Sequence, residues 1–303
     1  MTAVIETDKL TKSNGSHRGI VDVDLAVREG EAFGFLGPTG AGKTTTIRTL
    51  LDHLRPTSGR ATVFGIDTTA DPVAIHRRLG YLPGEFALYD KLTGGQTIDY
   101  FANLRGNVDR AYQSQLIERL DVDTSRKFRE YSKGNKQKVG LIVALQHRPE
   151  LLMLDEPTSG LDPLIQQEFF AVIREAKDEG RTIFMSSHIL SEVERTCDRV
   201  AIIRDGQLTR TDRVASLRDM AHHTVEIRFA GAVPVTEFSA LPGVSDVTSD
   251  DSTLHLRVAG PITPVVNAAA RHELLDFVSR EPTLEETFLA EYAPQAEEAA
   301  DVR

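Results

Sequence analysis

Residues 37–45 read Gly37-Pro38-Thr39-Gly40-Ala41-Gly42-Lys43-Thr44-Thr45, a spacing of glycines, lysine and hydroxyls suited to gripping a polyphosphate. Gly37, Gly40 and Gly42 allow the backbone to bend so that successive N–H groups converge on an anion. Pro38, Thr39 and Ala41 fill the loop between them. A helix starting at the end of the loop adds its positive dipole end. Lys43 would place a point charge against the β- and γ-phosphates, Thr44 would offer its hydroxyl to Mg²⁺, and Thr45 would supply a further hydroxyl to phosphate. The pattern is that of an NTPase phosphate loop. By itself it does not choose among kinases, GTPases, helicases and transporters.

A second chemical cluster lies at residues 151–157, Leu-Leu-Met-Leu-Asp-Glu-Pro. Four apolar residues predict a buried strand, with Asp155 and Glu156 at its C-terminal end, where ligands bind in open α/β sheets. Asp155 is the natural partner of Mg²⁺, through water, and Glu156 is placed to polarise the water that attacks a γ-phosphate. The plain alternative is that Asp-Glu-Pro only caps the next helix.

Such residues need a rigid layered scaffold. Val21 to Val27 alternates apolar and polar residues, as a half-buried strand does, and Ala32 to Leu36 is a short buried strand feeding the glycine-rich turn. Thr44 to Leu54 has helical character, closed by Pro56, Ser58 and Gly59. Thr182 to Met185 is a further strand of the buried parallel type, with helices expected over Asp162 to Lys177 and Ile189 to Cys197. This alternation predicts an α/β domain with a parallel sheet. Between Tyr81 and Leu145 helical patterns take over, over Gly95 to Leu104 and Ala111 to Leu120, and predict a helical insertion. After Leu217 the style changes to alternating strands, Val225 to Phe229 and Thr253 to Val258, then a helix over Pro264 to His272.

With these residues in place, the chain resembles the ATP-binding subunits of ABC transporters. Residues 131–138, Tyr-Ser-Lys-Gly-Asn-Lys-Gln-Lys, are similar to that family's signature, usually written L-S-G-G-Q. Ser132 and Gly134 match it, while Tyr131, Lys133 and Asn135 depart; lysine in the place of Lys133 recurs in the drug-resistance export branch. The resemblance implies that Ser132 and Gly134 close over the γ-phosphate held by a partner subunit. It implies likewise that Asp162, in Thr158-Ser159-Gly160-Leu161-Asp162-Pro163, makes a contact across the dimer, and that His188 is the switch histidine that senses the γ-phosphate. Two departures stand out. Asn14 occupies the place of an aromatic that stacks on adenine in the family, with His17 a candidate substitute. Gly84 replaces a glutamine that touches Mg²⁺ and senses the membrane subunit, which leaves Glu85 as the candidate third metal-site residue beside Thr44 and Asp155.

The fold class implied is a P-loop NTPase nucleotide-binding domain of the ABC type over residues 1–215, with its helical subdomain at about 86–145. A small accessory α+β domain follows over 216–303. Within it, residues 281–288, Glu-Pro-Thr-Leu-Glu-Glu-Thr-Phe, resemble the P-S-L-E-D-V-F-L ending of the daunorubicin-resistance-like, ABC-2 type export branch. The helix expected there presents Leu284, Phe288 and Tyr292 on one face. The acidic residues from Pro294 to Arg303 read as a frayed tail. The resemblance implies ATP and Mg²⁺ as ligands and a second ABC subunit, identical or different. It also implies a separate permease of about six helices, a place at the cytoplasmic face of the membrane, and efflux of a hydrophobic drug, antibiotic or lipid. A soluble or regulatory ATPase of the same family, uncoupled from transport, is the alternative.

Composition agrees with that frame. The 303 residues carry 45 acids against 35 bases and 40% hydrophobic residues, an ordinary globular balance. No Lys/Arg run exceeds a pair, so nucleic acid is not expected as a partner. The first ten residues, with Glu6 and Asp8, lack the apolar core of a signal peptide. The longest apolar stretches fall short of the roughly 18–20 residues that a spanning helix needs. The one cysteine, Cys197, permits no intrachain disulfide and reads as a part-buried, unreactive side chain.

Overall fold

Strands whose residues are buried on both faces form the centre of the larger of two units. In the computed structural model, which describes residues 3–15, 17–85, 89–106, 108–219 and 223–280, the contacts divide the chain into Met1–Arg213 and Val214–Arg303. The first unit runs β1 (Ala3–Asn14), β2 (His17–Val23), β3 (Ala26–Arg28), β4 (Ala32–Leu36), α1 (Lys43–Leu50), β5 (Ser58–Val63), β6 (Ile66–Asp67), α2 (Pro72–Arg77) and β7 (Leu79–Leu82). It continues through α3 (Gly94–Arg105), α4 (Arg110–Arg119), a 3₁₀ turn at Phe128–Glu130, α5 (Lys133–Leu145), β8 (Leu151–Asp155), α6 (Pro163–Asp178) and β9 (Thr182–Ser187). It closes with α7 (Leu190–Thr196), β10 (Arg199–Arg204) and β11 (Gln207–Arg213).

The central sheet has the order β11-β10-β4-β9-β8-β7, parallel except for β11. Every residue of β4, β8 and β9 is buried, which is why these strands read as unbroken apolar runs. Phe184 stacks on Phe33 with centroids 6.0 Å apart and tilts against Phe35 at 5.5 Å. Register aligns the strand ends: Leu36 pairs with Ser187, and Asp155 with Ser186. The residues that follow β4, β8 and β9 therefore emerge side by side on one edge of the sheet.

A second sheet joins β1, β2, β3, β5 and β6 in antiparallel pairs. The alternating stretch Val21 to Val27 does not continue as one strand. It breaks at Asp24 and Leu25, where the Asp24 carboxylate accepts a hydrogen bond from Lys9 N–H at 2.6 Å and Leu25 N–H is taken by the Thr7 hydroxyl. Between β7 and β8 the chain is helical. Thr93 and Gln96 form a reciprocal capping box at the start of α3, and Asp109 caps α4. The helix expected to run to Leu54 ends at Leu50, four residues earlier, with Asp52 at φ 55° in the left-handed region.

The second unit runs α8 (Val214–Asp219), β12 (His223–Phe229), α9 (Val235–Ser239), β13 (Val244–Asp250), β14 (Thr253–Val258), α10 (Thr263–Ala269) and β15 (Leu274–Arg280). After α8 the order is β-α-β-β-α-β, and the sheet order β13-β14-β12-β15 is that of a split βαβ unit. It has a core of its own, in which Val225, Ile227, Leu254 and Leu256 meet Phe238 of α9 and Val265 of α10. The helix and tail expected after residue 280 lie outside the described residues.

Cys197 is buried beside Gly34, and burial pushes its thiol well above the usual range. His147, at the end of α5, sits beside the Leu79 carbonyl at 3.2 Å. Burial, with the Arg105 guanidinium nearby, lowers it from 6.5 to about 4. The folded state thus favours neutral imidazole, so its contribution is complete above pH 6.5 and is lost as pH falls toward 4. Denaturant titrations between pH 6.5 and 4 should show the wild type losing up to about 3 kcal/mol more than His147→Leu, from a shift of that size at 1.36 kcal/mol per unit; parallel profiles would contradict it.

Candidate functional site

The phosphate-loop sequence folds as its glycines require. Gly42 caps α1 with φ 111°, a conformation that L side chains rarely adopt, and its carbonyl accepts from Thr46 N–H at 2.9 Å. Gly37 N–H donates to the Ser187 carbonyl at 3.2 Å, which ties the loop to the end of β9. Lys43 opens α1, yet its side chain is only 4% exposed because it folds back into the loop. Its ammonium donates to the Gly37 carbonyl at 2.5 Å and to the Pro38 carbonyl at 3.1 Å.

Beyond the end of β8, Glu156 takes φ 49°, a strained choice for a residue with a side chain. Its N–H donates to both the carbonyl and the hydroxyl of Ser186, at 3.2 and 3.1 Å. That geometry aims the carboxylate so that Oε1 lies 3.4 Å from Lys43 Nζ and 3.3 Å from His188 Nδ1. Asp155 is 1% exposed. It accepts the Thr44 hydroxyl on Oδ2 at 2.7 Å and the Ser186 hydroxyl on Oδ1 at 2.5 Å. Among the described residues it has no basic partner. Three elements, α1, β8 and β9, therefore meet at one buried carboxylate.

A cleft of about 510 Å³ opens over this cluster. Of the residues singled out from sequence, Thr39, Gly40, Gly42, Lys43, Thr44, Thr45, Glu85, Asp155 and Glu156 line it. Gly37, Pro38 and Ala41 stand behind it in the loop, and His188 reaches it through Glu156. Ser132, Gly134 and Asp162 do not line it. Ser132 caps α5, its Oγ accepting from Asn135 N–H at 3.3 Å, which leaves the hydroxyl proton free to donate. Asp162 caps α6, accepting from Leu164 and Ile165 N–H at 3.1 Å each. The side chains of Asn14 and His17 lie outside the described residues.

The cleft also holds Arg48, which lies outside every motif, and Lys133 and Ser159, which the motifs contain but to which they assign no place in the site. Three cations, Lys43, Arg48 and Lys133, face three carboxylates, Glu85, Asp155 and Glu156. Lys133 donates to Ser159 Oγ at 2.7 Å. Gln137, one helical turn on, donates to the Pro157 carbonyl at 3.2 Å. The signature turn is thus bolted to the loop that carries Glu156. Gly84 faces Asp155 so closely that a Cβ there would lie 3.3 Å from Oδ2. Tyr81, packed in the same neighbourhood, is pushed up to about 12 by burial and by the charge of Asp155, so its phenol stays protonated. Gln137, Arg48 and Ser186 carried no sequence signal of their own, since their roles come from contacts between distant segments.

Comparison with known proteins places this geometry. Residues 20–159 match the ABC transporter family. The chain is 40% identical over 211 residues to the bacitracin transport ATP-binding protein BcrA of Bacillus licheniformis, covering 69% of each chain. It is 32% identical over 300 residues to the daunorubicin resistance ATP-binding protein DrrA3 of Streptomyces coeruleorubidus, covering 94% of each. Among solved structures, an ATP-binding subunit of an ABC transporter superposes with a TM-score of 0.66 at 29% identity, over 71% of this chain and 92% of that one. The fold is accordingly that of an ABC ATPase cassette.

Gly134 packs so that a Cβ would fall 2.3 Å from the Gly160 carbonyl oxygen, a backbone atom that cannot swing aside. Gly134→Ala should therefore lower unfolding stability by about 1–3 kcal/mol in urea titrations, the usual range for overpacking; an unchanged midpoint would show that the signature turn is not held against that loop.

Proposed function

Because the chain belongs to the ABC transporter ATP-binding family, whose members are ATP-hydrolysing, we propose that it is the motor subunit of a drug exporter. One observation carries the reading of its site: the Glu156 carboxylate stands 3.4 Å from the Lys43 ammonium and 3.3 Å from His188, beside the buried Thr44–Asp155 pair.

In this reading the backbone of residues 37–45 and the Lys43 ammonium hold the β- and γ-phosphates of ATP. Thr44 and Asp155 would hold Mg²⁺, with Glu85 reaching it from the loop after β7. The donor chemistry fits: hard oxygens, one of them a buried carboxylate without a cation. Among the described residues no three His, Cys, Asp or Glu side chains cluster into a metal site, and Mg²⁺ is usually bound by one or two carboxylates, with phosphate and water completing its shell. The ion supplies charge neutralisation at the phosphates. Glu156 accepts the proton of the attacking water as the γ-phosphorus bond to the ADP oxygen breaks. His188, its Nδ1 3.3 Å from that carboxylate, senses the γ-phosphate.

ABC cassettes act as dimers with membrane permeases. Ser132 and Gly134 would cover the phosphate bound by a second, identical or related, subunit, with Asp162 at the contact between them. The hydroxyl proton of Ser132, not used in its cap, suits a phosphate oxygen. Among the described residues no helix is long and apolar enough to cross a membrane; in this reading a separate permease, of about six helices, provides the path, with this chain at its cytoplasmic face. The names of BcrA and DrrA3 support a hydrophobic drug or antibiotic as cargo, with lipid as a related class.

Glu156→Gln keeps the shape of the side chain and removes its basicity. Steady-state turnover should fall at least about 100-fold, the low end for a lost general base, while ATP still binds and Mg·ATP accumulates a dimer on size-exclusion chromatography. Normal turnover by this variant would remove Glu156 as the base. Lys43→Ala should weaken ATP binding by about tenfold or more, as expected for a lost charged hydrogen bond; equilibrium titration with fluorescent ATP checks it. Co-sedimentation with membranes bearing the permease, and stimulation of turnover there, tests the transport role itself.

A further inference from the structure

The site as read above makes no use of a carboxylate buried directly behind it. Glu192 lies in the first turn of α7 and is 6% exposed. Among the described residues it has no Lys, Arg or His partner. Its two oxygens are instead taken by hydroxyls from two different segments. Thr158 donates to Oε1 at 2.5 Å, and Ser187 donates to Oε2 at 2.7 Å. Both donors are themselves buried.

Where those hydroxyls come from is the point. Thr158 is two residues beyond Glu156, in the turn where Ser159 N–H donates to the Glu156 carbonyl and Leu161 N–H to the Thr158 carbonyl. Ser187 immediately precedes His188, and its oxygen accepts from Ile189 N–H at 2.9 Å, so the hydroxyl clasps the peptide on the far side of His188. Its proton has two acceptors within reach, Glu192 Oε2 at 2.7 Å and the Ile189 carbonyl at 3.2 Å, and the shorter contact is the one to Glu192. One carboxylate thus holds the segment of Glu156 and the segment of His188, whose side chains meet at 3.3 Å. A buried carboxylate without a cation is an expensive choice for a mere filler. Its advantage is that hydrogen bonds to an ionised acceptor are shorter and about twice as strong as neutral ones, which suits a part that must fix a distance.

We propose that Glu192 is a positioning residue for ATP hydrolysis: its carboxylate, through Thr158 and Ser187, sets the separation of Glu156 and His188. The inference rests on the reading of Glu156 and His188 given above. Glu192 does not line the cleft and acts only through those two segments. Because Thr158 opens the loop that ends at Asp162, the same carboxylate links any movement of that loop to the spacing of the reacting pair.

The test uses the full chain with Mg·ATP and four variants: Glu192→Gln, Ser187→Ala, His188→Ala and the double variant Glu192→Gln/His188→Ala. Glu192→Gln keeps the side-chain volume but cannot accept on both arms. It should lower kcat at least tenfold with KM for ATP and thermal midpoint close to wild type, and Ser187→Ala, which severs one arm, should do the same to a smaller degree. In the His188→Ala background, Glu192→Gln should reduce kcat less than twofold further. A role in stability alone predicts instead a lowered midpoint with KM and kcat moving together, and that result would overturn the proposal. So would full multiplication of the two kcat losses in the double variant. Glu156→Gln, run alongside, separates the levels: an inactive Glu156→Gln with a fully active Glu192→Gln defeats this inference alone, whereas an active Glu156→Gln defeats the site reading beneath it.

Discussion

The enclosed carboxylate of Asp155 is the contact on which the rest of the site depends. It receives one hydroxyl from the helix after the phosphate loop and another from the last turn of the neighbouring strand. Those two bonds fix α1, β8 and β9 relative to each other at their functional ends. A carboxylate at 1% exposure is tolerable only because both oxygens are satisfied. The parallel register does the remaining alignment, bringing Leu36, Asp155 and Ser187 to the same edge of the sheet. Loops leaving that edge need no further instruction to converge.

Around this anchor the charges are arranged in opposition. Three cations and three carboxylates line one cleft, and the ammonium of Lys43 is held by two carbonyls and a carboxylate rather than by solvent. Preorganisation of this kind spares the site the reorganisation that water would require when a charged ligand arrives. The left-handed backbone of Glu156 belongs to the same economy, since strain there is sustained by the two bonds its N–H makes to Ser186.

What could be read from sequence follows the range of the interaction. The loop at 37–45 and the pair Asp155-Glu156 are local patterns, with residue types and spacing fixed by the chemistry, and both fall where such patterns predict. The strands at Ala32–Leu36 and Leu151–Asp155 were visible because burial on both faces leaves an apolar run. By contrast β1 opens on three apolar residues and continues through nine of which only Leu10 is apolar, so it shows neither alternation nor a sustained apolar run. Strand β10 is a four-residue apolar run between arginines that has no motif beside it to mark it. Lys133–Ser159, Gln137–Pro157 and Thr158–Glu192 join segments between 20 and 34 residues apart. No periodicity records such pairs. His188 needed the resemblance to a family to be singled out, and the structure sets its ring beside Glu156.

Cys197 has a practical consequence. The chain's one sulfhydryl is sealed against Gly34 of the central sheet, with its ionisation suppressed by burial. Thiol-directed reagents therefore find nothing to modify on the native surface. A cysteine introduced at an exposed position would be the single reactive sulfur, and spin or fluorescent probes could report the approach of two copies without first removing a native residue.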